Sequence, residues 1–302
     1  MTRSKNNRQT RPDGQRSKRG SNPLDRLPTS PVTTSFSLAE VGQSPYRPSL
    51  ITLYLDGAES SALDLEDPTY LEFEYMQHID LIIGATLGDS VPLRALHLGA
   101  AGCALARALD AQHPGSRQLA IELDSQLAAG VREWFDLPPS PRLRIRADEA
   151  RHALDTTNAK WDVVIRDAFR VRDVPLQLRT SECVRRAHEV LSPGGLYIMN
   201  SIASTGFTRL GEEIATVSEH FPHLIAIVDP SILKGRRFGN IVIAASDEEF
   251  PVAEISRRVR KLSLPASVLD TATLLRKAAG SKVFTDDELQ PGILWSSAEP
   301  SN

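Results

Sequence analysis

From residue 94 to residue 246 the chain alternates between two hydrophobic periods. Short apolar runs predict strands at 94–98, 118–122, 142–146, 161–166, 195–200, 223–228 and 239–245. Apolar residues recurring every three or four positions predict helices at 103–112, 124–135, 149–156, 180–191, 207–220, 251–262 and 269–279. Strands and helices alternating at this spacing imply a mostly parallel sheet covered on both faces. The runs Leu224–Val228 and Asn240–Ala244 follow one another without a clear helix between them, so they are expected to pair antiparallel at the sheet edge. Upstream, Ser49–Leu55 ends in Asp56-Gly57 and reads as a strand closing in a turn, with Ser61–Leu65 returning. Asp67-Pro68 then reads as the start of a helix that places Leu71, Tyr75, His78, Ile79, Ile82 and Ile83 on one face. His78 there reads as a packed residue rather than a ligand.

The first strand of the alternating region runs into Gly99-Ala100-Ala101-Gly102, and a helix follows at once. Residues this small let a backbone approach a ligand closely, and a helix start presents N–H groups without intrahelical partners. The second strand ends in Glu122, the distance downstream at which a carboxylate meets a ribose diol. Glycines alone would specify only a tight turn. With the acidic strand end they favour a nucleoside site. The pattern is not G-x-G-x-x-G, which argues against a dinucleotide and for an S-adenosyl ligand, which has no pyrophosphate to cradle. The remaining strand ends are Asp148, Asp167 and Asn200. Asp148 can cap the helix at 149–156, and with Glu149 it can also lie near an adenine amino group. Asp167 heads a charged loop, and a capping role or a salt bridge with Arg166, Arg170 or Arg172 is the plainer alternative.

Composition narrows the choice. At 302 residues with 41% hydrophobic content the chain can bury a substantial core. Residues 1–30 carry eight basic and two acidic residues, a net of +6, so the rest sums to −9 against the total of −3. A globally basic nucleic-acid-binding domain is excluded by that balance, leaving the basic tail as the one segment suited to such a contact. Residues 1–45, rich in Arg, Ser, Asn, Pro and Thr, are expected to be disordered. Cys103 and Cys183 offer no disulfide framework or metal-ligand spacing, so no metal is expected. With no apolar run of about 18 residues and no apolar signal segment, the expected setting is cytoplasmic, with no membrane.

Several of these segments recur in one known family. Leu96–Gly102, Ile121-Glu122-Leu123-Asp124, Ala147-Asp148-Glu149, Val164–Phe169 and Leu191–Tyr197 stand in the order seen in spermidine synthase-like proteins, the polyamine aminopropyltransferases. Ser44-Pro45-Tyr46, Leu55-Asp56-Gly57 and Phe73-Glu74-Tyr75-Met76 resemble that family's N-terminal region, and Phe284-Thr285-Asp286-Asp287 with Pro291 resembles its C-terminal segment. The resemblance covers roughly residues 44–292. It implies an α/β, Rossmann-like fold of the S-adenosylmethionine-dependent methyltransferase type, with a small N-terminal β-hairpin region. The expected division is a basic tail at 1–45, a hairpin plus helix at 46–90, a Rossmann-like domain at 91–292 and a C-terminal tail at 293–302.

The resemblance further implies decarboxylated S-adenosylmethionine, or S-adenosylmethionine, as co-substrate, held by Gly99, Ala100, Gly102, Glu122, Asp148 and Glu149. Asp167 matches the loop aspartate that assists amine deprotonation. A small-molecule amine or other acceptor is the expected partner, in a chain that could be a homodimer. Three positions depart from the family pattern. Gly102 stands where the family has an aspartate. Asp167-Ala168-Phe169-Arg170 replaces Asp-Ser-Ser-Asp. Tyr75 stands near a family glutamate. The arginines 166, 170 and 172 around Asp167 would repel a diamine. They favour two alternatives on the same fold: a methyltransferase with a non-diamine substrate, or a non-catalytic nucleoside-binding homologue.

Overall fold

A computed structural model describes residues 23–170, 173–203 and 208–289. Among them, an antiparallel sheet of four strands comes first: β1 (Val32–Thr33), β2 (Leu38–Gln43), β3 (Leu50–Leu55) and β4 (Ala58–Asp64), paired in that order. The expectation of a disordered tail to residue 45 is therefore corrected from residue 23 onward; residues 1–22 lie outside the described residues. Strand β2 escapes the hydrophobic pattern because one of its faces is solvated, and only Ala39 is fully buried.

Helix α1 spans Glu74–Leu87. It starts later than Asp67-Pro68 suggests, because Asp67 caps only a local turn, accepting from Thr69 N and Oγ1 at 2.9 and 2.7 Å. The alternation then follows as expected: β5 (Arg94–Leu98), α2 (Ala104–Gln112), β6 (Arg117–Glu122), α3 (Ser125–Trp134), β7 (Leu143–Ala147), α4 (Ala150–Thr156) and β8 (Trp161–Arg166). Next come α5 (Ser181–Val190), β9 (Leu191–Ala203), α6 (Thr208–Ser218), β10 (His223–Val228), α7 (Pro230–Leu233), β11 (Gly239–Ser246), α8 (Val252–Val259), β12 (Ser267–Asp270) and α9 (Thr271–Ala278).

The eight strands from β5 onward form one sheet in the order β12-β10-β11-β9-β8-β5-β6-β7. The five strands from β9 to β7 in that order are parallel; β11 pairs antiparallel with both β9 and β10. The expected antiparallel pair thus exists, but the edge itself is β12, a four-residue strand too short to stand out in the sequence. Alternate strand residues feed two cores. Ala95, Val163, Ile165 and Ile198 join α1, α2 and α8 on one face; Leu96, Val164, Tyr197 and Met199 join α5, α6 and α9 on the other. Chain order reverses between β5 and β8, so the crevice beyond their carboxyl ends is where this sheet type takes ligands.

Candidate functional site

Gly99 leaves β5 and Asp167 leaves β8 at that reversal. The two are in direct contact. A Cβ on Gly99 would lie 2.3 Å from the Asp167 carbonyl oxygen, and Gly99 holds a φ of 103°, so only glycine serves there. Ala101 and Cys103 also adopt positive φ, at 41° and 58°, in a turn closed by Cys103 N–H donating to Ala100 O at 2.8 Å. Cys103 therefore precedes the helix that the sequence predicts it to begin.

The turn aims Ala101 N–H at Glu122, whose Oε2 accepts it at 2.9 Å, while Oε1 accepts Asp124 N–H at 3.1 Å. Glu122 thus faces the glycine turn from the end of β6, with burial raising its carboxyl above the ordinary range against those two donors. Ala100 N–H adds a third backbone donor to the same carboxylate, whose remaining acceptor capacity is of the kind that hydroxyl groups donate to. Leu123, 48% exposed beside it, offers an apolar surface.

Gly102 has a different surrounding. Its N–H donates to Ser61 Oγ of β4 at 2.9 Å, and a Cβ there would meet Ser61 Cβ at 2.6 Å. The four-stranded sheet therefore occupies the room a side chain at 102 would need. That sheet is also tied to α3, where Asp124 caps the helix and accepts Ser35 N–H and Phe36 N–H at 3.1 and 2.9 Å.

The cap of α4 is Glu149, not Asp148 as expected. Glu149 caps α4, accepting His152 N–H at 2.8 Å. Asp148 accepts Glu149 N–H and faces His152 Nδ1, both at 2.8 Å, and pairs with Arg146 at 3.1 Å. It follows β7, three strands along the sheet from the β8 strand that Asp167 follows and next to the strand of Glu122.

Asp167 has two donors from distant parts of the chain. Tyr75 Oη donates to its Oδ2 at 3.0 Å, and Asn200 Nδ2 donates to its Oδ1 at 2.9 Å. Burial still dominates and raises its carboxyl above the usual value, with both donors and the charge of Arg166 pulling the other way. The Tyr75 phenol is pushed well above 10, first by its own burial and then by the Asp167 charge. Asn200 is 1% exposed, and its Oδ1 has no hydrogen-bond partner.

The expected ring of arginines is not what surrounds Asp167. Arg166 points through the sheet to the opposite core, where it pairs with Glu213 and donates to Ser201 Oγ at 2.7 Å. Arg170 is exposed in the loop, and Arg172 lies outside the described residues. No group of three or more His, Cys, Asp or Glu among the described residues could hold a metal ion.

This arrangement has a close relative among solved structures. A probable spermidine synthase from Corynebacterium glutamicum is similar over 86% of this chain and 98% of its own, at 35% identity and a TM-score of 0.82. The chain belongs to the spermidine synthase-like family. A spermidine synthase from Thermotoga maritima shares the fold, at 16% identity over 84% of each chain and a TM-score of 0.52. A polyamine aminopropyltransferase of Vibrio vulnificus is 24% identical over 134 residues, 43% of this chain and 45% of that protein. In such matches the chain spans about half the length of the curated relatives. No family model matches it. Family membership directs attention to two features that the residues alone had left unconnected, Tyr75 on α1 and Asn200 on β9.

Proposed function

We propose that the protein is an aminopropyltransferase that binds decarboxylated S-adenosylmethionine and alkylates an amine. The observation that carries this reading is Asp167, held between Tyr75 and Asn200 and touching the Gly99 turn that faces Glu122. Glu122 accepts the ribose hydroxyls, the Gly99–Gly102 turn admits the nucleoside, and Asp148 with Glu149 borders the adenine end. When bound, the sulfonium supplies an electrophilic carbon. Asp167 hydrogen-bonds the acceptor amine, orients its lone pair and takes its proton as the N–C bond forms. The C–S bond breaks at the same time, and its electron pair remains on sulfur as a neutral thioether.

A second reading rests on Gly102. With no carboxylate at that place, the charge that would repel the tail carboxylate of S-adenosylmethionine is missing. S-adenosylmethionine would then be bound and a methyl group transferred.

One titration separates these readings. The purified protein is titrated by calorimetry with S-adenosylmethionine, decarboxylated S-adenosylmethionine and methylthioadenosine. Preference for the decarboxylated form, with methylthioadenosine also bound, supports aminopropyl transfer; preference for S-adenosylmethionine supports the second reading. Glu122→Gln keeps the size and removes the charge, so binding of the preferred nucleoside should weaken by about 1–3 kcal/mol. Unchanged affinity would remove Glu122 from the site, and failure of all three to bind would overturn both readings.

A further inference from the structure

Asp167 follows β8 on the face that α1 covers, and its neighbour Arg166 leaves the strand through the opposite face. Arg166 is level with Met199 of β9, and one residue further on Asp167 meets Asn200. The two strand ends thus present Asp167 and Asn200 on one face, and Arg166 and Ser201 on the other. The Arg166 side chain is 1% exposed and pairs with Glu213 of α6. It donates through Nη2 to Ser201 Oγ at 2.7 Å and to Asn200 O at 3.3 Å, and through Nη1 to Leu178 O at 3.3 Å. The carbonyl it holds belongs to the residue whose amide reaches Asp167 Oδ1 at 2.9 Å.

Packing alone does not call for an arginine here. The core on this face is built of residues such as Leu178, Val184, Met199, Leu210 and Ile214, and a charge buried among such groups is costly. What the charge reaches is Asp167. Burial raises that carboxyl, and Asn200, Tyr75 and the Arg166 charge pull it back. Asp167 faces Tyr75 from α1, Asn200 from β9 and the uncharged Gly99 turn from β5, so the charge that bears on it is that of Arg166. The titratable groups around Arg166 are Glu213 from α6, Tyr197 from β9 and Cys183 from α5. Burial raises the Tyr197 phenol and pushes the Cys183 thiol up to about 12, so neither is charged near neutrality. Arg151, which also acts on Cys183, is itself paired with Asp155 and Asp286. Glu213 is left to set how much of the guanidinium's field crosses to the other face.

We propose that Arg166 is a positioning residue for Asp167, acting through the sheet: it anchors the backbone of Asn200 and supplies the field that favours an ionised carboxylate, with Glu213 moderating that field. The proposal rests on the transferase reading only for what the carboxylate does next. It accounts for a buried ion pair that touches no part of the nucleoside site.

The test is an NMR titration of the full chain without ligand, its aspartates labelled with carbon-13 at the side-chain carboxyl. The Asp167 resonance is identified by its absence from Asp167→Asn, and its midpoint is followed across the pH range in which the protein stays folded. Glu213→Gln keeps a hydrogen-bonding partner for the guanidinium and removes the opposing charge, so the midpoint should fall by about half a pH unit or more. The double variant Arg166→Met with Glu213→Leu replaces the pair by apolar groups, a change that buried pairs often tolerate. There the midpoint should rise by a similar amount. If that variant does not fold, Arg166→Gln with Glu213→Gln gives the same neutral arrangement with polar groups kept. Arg166→Lys keeps a charge without the planar fork, so its midpoint should stay closer to wild type than that of either neutral pair. Shifts of opposite sign in Glu213→Gln and the neutral pair, with the other aspartate midpoints held, are the result expected. A merely loosened core would expose Asp167 in both and lower both midpoints, so shifts of one sign, or no shift, overturn the proposal. Because no ligand enters the titration, its failure leaves the transferase reading standing, and that reading fails separately if the S-adenosyl ligands do not bind.

Discussion

Asp167 concentrates the chemistry at the residue scale. Its carboxyl is raised by burial, so the ionised fraction grows as pH climbs through a value above the ordinary 3.8. If Asp167 accepts the amine proton, turnover rises with pH across that same value. Tyr75 donates to the carboxylate and lowers its pKa, so Tyr75→Phe should move the acid limb of the kcat profile to higher pH. Asp167→Asn should abolish that limb and lower turnover by roughly 10²–10⁴-fold with nucleoside affinity kept. An unshifted limb in Tyr75→Phe, or intact product formation by Asp167→Asn, would take the aspartate out of the mechanism. The sequence marks Asp167 as a strand end but hides its partners, which lie 92 and 33 residues away. Arg166 was legible in principle: successive strand residues face opposite sides, so the neighbour of an inward Asp167 belongs to the other core.

At the scale of elements, the central parallel strands β5 and β8 were readable because burial on both faces makes them nearly continuous apolar runs, and the edge strand β7 because its apolar and charged residues alternate. The hairpin of β3 and β4 was readable too, but β1, β2 and β12 were not, being two residues long, half-solvated and four residues long respectively. The C-terminal segment is a clearer case of tertiary control. Phe284–Asp287 has no hydrophobic period, yet it closes against α4 and α5. Arg151, with its side chain 7% exposed, donates to both oxygens of Asp286 at 3.0 and 2.8 Å and to Thr180 Oγ1 at 3.1 Å. Phe284 O accepts Ser181 N–H at 2.8 Å, and Asp286 N–H donates to Glu182 at 2.8 Å. Asp286→Ala leaves the guanidinium short of its bidentate partner while Asp155 still faces it at 2.9 Å. Because Asp286 is 23% exposed, the expected loss is about 2–4 kcal/mol, below the full cost of breaking a buried pair. Urea denaturation measures it. A loss under about 1 kcal/mol would mean that the segment is held by Phe284 and the backbone contacts alone.

For the whole molecule, the cover that makes the sheet a two-sided core also encloses groups that titrate near neutrality. His97 on β5 is 4% exposed and faces Gln118 Oε1 at 2.8 Å; His78 on α1 is 6% exposed. Burial lowers both from 6.5 to about 4, so both are neutral in the folded protein over a range where the unfolded chain protonates them. A folded-state pKa below the unfolded one gives stability that is present above pH 6.5 and lost as pH falls toward 4. Asp80 works in the opposite sense. Its burial raises it to about 6, so acidification from there favours the folded state, and Glu122 and Asp167 share that direction. The net slope of the wild type therefore mixes both signs, and a single variant isolates one contribution. His97→Gln cannot charge, so between pH 7 and pH 4 the stability difference should move in the variant's favour by roughly 3 kcal/mol, whatever its offset at neutral pH. Denaturation midpoints of the two proteins across that range read this directly. A gap that stays constant with pH would show that His97 titrates alike in the folded and unfolded chain, contrary to its enclosure between the sheet and the helices above it.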